Sequence, residues 1–87
     1  MKNEQNTKEL YISPKANFRG FEYECVCCGR KLNENHNLFV HMNEDWIAVN
    51  PEIAEEDIAK VTGAESQGSF LIGNECAKKM KGFTFSI

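Results

Sequence analysis

The sequence predicts a small α+β domain, built from antiparallel β-hairpins and two short helices and pinned by a metal knuckle. Three observations carry that expectation. Short apolar segments alternate with polar residues at strand period, two segments carry helix start and stop signals, and four cysteines fall within 87 residues. A core of this size supplies roughly 3–5 kcal/mol of net stability, so a further staple is expected. No apolar run approaches the ~18 residues that a membrane helix requires. The opening Met1-Lys2-Asn3-Glu4-Gln5-Asn6 has no apolar signal segment, which points to the cytoplasm. In that reducing compartment, cysteines serve as metal ligands or redox groups more than as disulfides.

Residues 1–17 are polar without a clear period and read as a flexible N-terminal arm, which leaves 18–87 as a single domain. Phe18 to Cys25 reads as a strand, with Phe21, Tyr23 and Cys25 alternating against Glu22 and Glu24. Cys25-Val26-Cys27-Cys28-Gly29-Arg30 is a tight turn, and Asn33 to Asn37 is a polar loop. Leu38 to Met42 and Trp46 to Val49 form a hairpin across Asn43-Glu44-Asp45. Asn50-Pro51-Glu52 opens a helix: Asn50 can cap, Pro51 suits the first helical position, and Glu52 favours the positive end of the dipole. Ile53, Ile58 and Val61 give it an apolar stripe, and Gly63 ends it. Phe70-Leu71-Ile72 is a further short strand. Glu75 to Lys81 is a second helix stopped by Gly82, and Phe83, Phe85 and Ile87 alternate as a last strand or packing tail.

Cys25-x-x-Cys28-Gly29 is the strongest motif. Two thiolates two residues apart can grip one tetrahedral ion from a tight turn, and the following glycine can turn amide N–H groups toward the sulfurs. A thioredoxin-like redox pair would need a long helix directly after the motif. Here Gly-Arg-Lys-Leu-Asn-Glu-Asn follows instead, so metal is the favoured reading, and zinc the favoured metal. Cys76 is the third ligand, at the mouth of the second helix, where the helix dipole favours a thiolate. Structural zinc takes four ligands. His41 leads as the fourth, with His36 and Cys27 as alternatives; otherwise Cys27 is a bystander pointing away from the grip. A DNA-reading finger with two cysteines and two histidines fails, because Asp45-Trp46-Ile47 stands where its second histidine would fall.

The charge is polarised. The total is −3, but residues 32–75 set one lysine against nine acids, while 76–87 hold three lysines and no acid. Arg30, Lys31, Lys78, Lys79 and Lys81 gather near the cysteines, whereas Glu55, Glu56 and Asp57 lie in the acidic middle. Such a balance does not favour a polyanion overall, although a local cationic field remains at the cysteine end.

The segments Cys25-Val26-Cys27-Cys28-Gly29-Arg30-Lys31-Leu32, Leu38 to Met42 and Ser66 to Lys79 resemble a group of small bacterial and phage proteins. These share a C-x-x-C-G-[RK]-x-L, V-H-[LM] and G-x-[ED]-C-A-K-K pattern. The resemblance implies one zinc held by Cys25, Cys28, His41 and Cys76 in a knuckle–hairpin–helix arrangement similar to a treble clef. It brings no assigned activity. A closed zinc shell leaves no position for a reacting water, so an enzyme is not expected. The first expectation is a non-enzymatic protein-interaction module. It would dock its acidic surface (Glu55, Glu56, Asp57) on a basic partner, a host protein if the chain is phage-borne, with Trp46, Phe83 and Phe85 as candidate exposed or core aromatics. The alternative is nucleic-acid binding by Arg30, Lys31, Lys78, Lys79 and Lys81. A redox or metal-sensing role would rest on Cys27.

Overall fold

Val40 and Met42 are fully buried on the central strand of a curled antiparallel sheet, and the fold is organised around them. The computed structural model describes residues 6–86. Five strands, β1 (Thr7–Glu9), β2 (Leu38–Asn43), β3 (Ile47–Val49), β4 (Ser66–Leu71) and β5 (Thr84–Ser86), join two short helices, α1 (Ile58–Thr62) and α2 (Asn74–Ala77). The sheet runs β1-β3-β2-β4. Phe39 faces Leu71 of β4 on one side and Phe85 of β5 on the other, so β5 extends the β3 edge of β2. Among the described residues no helix is long and apolar enough to cross a membrane.

Alternation along β2 sorts its side chains onto two faces. Val40 and Met42 join Ala48, Ile72, Met80, Phe83 and three cysteines in one buried cluster. Phe39 and His41 take the other face, where Phe39 stacks on Phe85 at 5.9 Å between ring centres. At the end of β2, Asn43 is fully buried. Its Oδ1 accepts from the Asp45 and Ile47 amides at 2.9 and 3.2 Å, and its Nδ2 donates to Thr62 Oγ1 at 3.1 Å. One side chain therefore shapes the hairpin loop and ties it to α1.

The hairpin, the last strand and the two glycine stops appear at the expected places. Gly63 sits at φ 87° and returns its N–H to the Ala59 carbonyl, and Gly82 sits at φ 92° after Met80. The strand expected at Phe70–Ile72 runs instead from Ser66 to Leu71, and the helix expected over Glu75–Lys81 is α-helical only at Asn74–Ala77 before a 3-10 turn at Lys78–Met80. Three further elements differ more deeply. The helix expected from Asn50 is at first a turn, with Asn50 Oδ1 accepting from the Glu52 amide at 2.9 Å. Ala54 is extended, and helix proper begins only after a 3-10 turn at Glu55–Asp57. Phe18 to Cys25 is not a strand beyond a single bridge between Glu24 and Lys31. There Glu24 Oε1 accepts from the amides of Arg19, Gly20 and Phe21 at 2.9–3.2 Å, which curls the chain instead of extending it. The expected arm 1–17 is tied down over its described part. Thr7–Glu9 pairs with β3, and Ser13 and Asn17 donate to the carbonyls of Cys27 and Cys28 at 2.9 Å each. Residues 1–5 and Ile87 lie outside the described residues.

Candidate metal centre

Three pieces of chain meet at the end of the molecule away from Asn43: the cysteine turn, the start of α2, and the strap 11–17. The turn closes when Gly29 donates to the Cys25 carbonyl at 2.8 Å. Gly29 is at φ 79°, and a β-carbon there would stand 2.2 Å from the Asn17 carbonyl oxygen, so only glycine fits under the strap. The second helix enters through Gly73, whose N–H donates to Cys25 Sγ at 3.2 Å. The Cys27 amide donates to the same sulfur at 3.4 Å. These N–H···S contacts are the charge-stabilising contacts expected of a knuckle.

The sulfurs of Cys25, Cys27 and Cys76 all lie within 4.8 Å of one another and are buried. They lie close enough to hold a metal ion, with Cys28 adjoining. Sulfurs ~2.3 Å from a tetrahedral ion stand ~3.8 Å apart, so a small contraction would bring these three to bonding distance. None of the four cysteines is in a disulfide.

The protons on this cluster are unevenly held. Cys25 is pulled down to about 4, chiefly by the hydrogen bond it receives from the Cys27 thiol and then by the amides of Gly73, Cys27 and Cys28, against the opposing effect of burial. Cys27 is pushed far above the usual thiol range because it donates that bond and is buried. Cys76 is pushed up to about 12, first by burial and then by its contact with Cys28 and the Cys25 charge. One thiolate thus gathers protonated neighbours around itself, and a divalent cation could take the place of those protons.

Among the expected ligands, Cys25 and Cys76 come together, and Cys28 lies beside Cys76. Cys27, expected as a bystander, is one of the three converging sulfurs. Its side chain is fully buried, while Ser13 of the strap donates to its carbonyl at 2.9 Å. His41 is not brought to the cysteines. Strand alternation puts it on the face opposite Val40 and Met42, where Nε2 shares a 2.5 Å hydrogen bond with Ser66 Oγ. His36 is bonded through Nε2 to the Ile72 carbonyl at 2.7 Å, on the rim of the site. The signal for Cys27 was available in the composition, since four cysteines match the four places of a tetrahedral shell.

Outside the sulfurs lies a concavity of about 940 Å³ lined by Cys28, Cys76, the strap and the start of α2. Arg30, Lys31 and Lys79 line it, as do Lys15 and Arg19, which charge reasoning about the cysteine-flanking residues did not single out. Lys78 instead pairs with Glu75 at 3.6 Å, and Lys81 is not part of the lining. Glu55 and Glu56 are exposed, and with Asp57 they form the 3-10 turn ahead of α1. Trp46 is 53% exposed, whereas Phe83 is buried. Compared with protein-family models, with curated proteins and with solved structures, the chain finds no match.

Proposed function

We propose that this protein is a zinc-stabilised, non-enzymatic binding module whose metal is held by Cys25, Cys27, Cys28 and Cys76. The observation that carries the reading is the convergence of three buried sulfurs within 4.8 Å, with the fourth cysteine beside Cys76. An all-sulfur, buried donor set suits zinc over hard cations, which prefer oxygen. Four thiolates fill a tetrahedral shell and leave no place for an activated water, so the metal's work is to fold and stiffen. The cysteine turn and the thiolate at a helix start parallel the two halves of a treble-clef centre, in keeping with the sequence resemblance. His41 is left out of the shell in this reading, because its ring already serves Ser66 across the sheet.

The test is zinc stoichiometry by native mass spectrometry together with thermal unfolding in the presence of a chelator. One zinc per chain is expected, and its removal should abolish the cooperative transition, because metal-binding energy here is folding energy. Each Cys→Ser variant should lose zinc affinity by at least 10-fold. Acidification should release the ion, since protons compete for the same sulfurs. A metal-free protein with unchanged melting behaviour under chelation would remove the reading.

The binding face of such a module is better sought at the metal pole than at the acidic turn. Glu55, Glu56 and Asp57 stand at the start of a helical segment, where carboxylates already have a role against the dipole.

A further inference from the structure

We propose that the cationic concavity beside the metal centre binds single-stranded nucleic acid. This deepens the binding-module reading and rests on it, though not on which metal the cysteines hold.

Charge comes first. Lys15, Arg19, Arg30, Lys31 and Lys79 all line the concavity, and all are exposed. Among the described residues Glu75 is the one acidic side chain in the lining, and Lys78 partly offsets it from outside. Even beside the double negative charge of a four-thiolate zinc, the rim keeps an excess of cations. The chain as a whole is −3, so this concentration is local and directional. It arises because the strap, and the chain leaving it at Arg19, bring Lys15 and Arg19 to the same concavity as Arg30 and Lys31.

Aromatic surface comes second. Tyr11 and Phe21 flank the same concavity, and each already sits with an ammonium over its ring. Lys79 Nζ lies 5.8 Å from the Tyr11 centroid, and Lys31 Nζ lies 5.7 Å from that of Phe21. Alternating cations and rings form the pattern that follows a single strand, with phosphates on the cations and bases against the rings. Inorganic anions or acidic peptides would use only the cations.

Shape comes third. A duplex reader needs an element that enters a groove, and α2 has four residues. The concavity is instead walled by loops. These are held in place by the Gly29 close approach, by the backbone bonds from Ser13 and Asn17, and by His36 on the Ile72 carbonyl. A preformed wall of this kind lowers the ordering cost of binding.

The experiment is fluorescence anisotropy of labelled dT20 and U20 with the full chain, its zinc content checked by native mass spectrometry. Binding is expected at ~50 mM salt. For three to five phosphate contacts on a single strand, raising salt fourfold should weaken it by roughly 20- to 130-fold. The Arg30→Glu/Lys31→Glu variant should bind at least 10-fold more weakly with zinc content unchanged. Phe21→Leu should lose affinity several-fold without altering the salt slope, because it removes a ring and no charge. Glu55→Gln/Glu56→Gln/Asp57→Asn should bind within about twofold of the unmodified protein. A flat titration with folded, zinc-loaded protein would overturn the proposal. So would indifference to charge reversal, equal affinity for a duplex of the same length, or equal affinity for an oligoglutamate of matched charge. Binding by folded protein that proves to carry no zinc would support this inference and overturn the metal reading alone.

Discussion

The cysteine pole and the Asn43 corner close opposite ends of one sheet with different chemistry. At the corner, Asn43 spends its side-chain donor and acceptor on Thr62, Asp45 and Ile47, and its own carbonyl accepts from Gln67 Nε2 at 2.8 Å. Protein groups alone satisfy it. At the pole, the buried sulfurs are served by three amides and otherwise by one another, with one thiolate among protonated thiols. The contrast teaches what a metal adds. A neutral polar hub can complete itself from the backbone around it, whereas buried sulfurs this close together can hold a cation in place of their protons.

Disturbing each end separately should sharpen that contrast. The largest effect is expected from metal removal, which should unfold the whole domain, since structural zinc contributes of order 10–16 kcal/mol of apparent binding energy at neutral pH. Gly29→Ala comes next. A β-carbon 2.2 Å from the Asn17 carbonyl forces the strap off the turn, and φ 79° adds strain for any residue with a side chain. The cost should be at least ~2 kcal/mol in chemical denaturation, with weakened zinc retention. Asn43→Ala should cost roughly 2 kcal/mol by leaving two part-buried amides and Thr62 without their partner. It should leave zinc affinity unchanged, because the corner and the pole are separate. His41→Ala should be the mildest, about 1 kcal/mol for its bond to Ser66, with one zinc still bound. A loss of zinc in His41→Ala would join the two ends and break the comparison.

The same contrast explains what could be read in the sequence. Glycine stops at Gly63 and Gly82, the hairpin around Asn43-Glu44-Asp45, and the Cys25 turn are local devices, each fixed by a few neighbouring residues. They were legible for that reason. The strand at Thr7–Glu9 was not, because polar residues at a sheet edge show no apolar alternation and gain their place only from pairing with β3. The strand expected at Phe18 to Cys25 had the right alternation, but one carboxylate captured three successive amides and curled it. Cys27 and Cys28 are also bonded through their carbonyls to a strap ten or more residues upstream, contacts that spacing within the motif does not encode. His41 was drawn to the site by the count of missing ligands. The pleat sends it to the far face, and its true partner, Ser66, lies 25 residues away. The cationic concavity was half legible: Arg30, Lys31 and Lys79 came from the sequence, while Lys15 and Arg19 needed the strap.

The central claim is an all-sulfur metal shell, and X-ray absorption at the zinc edge of the loaded protein tests it most directly. The account predicts four sulfur neighbours at ~2.3 Å and no shorter-range scatterer. A nitrogen at ~2.0–2.1 Å, the distance of a histidine ligand, would contradict it and return His41 or His36 to the shell.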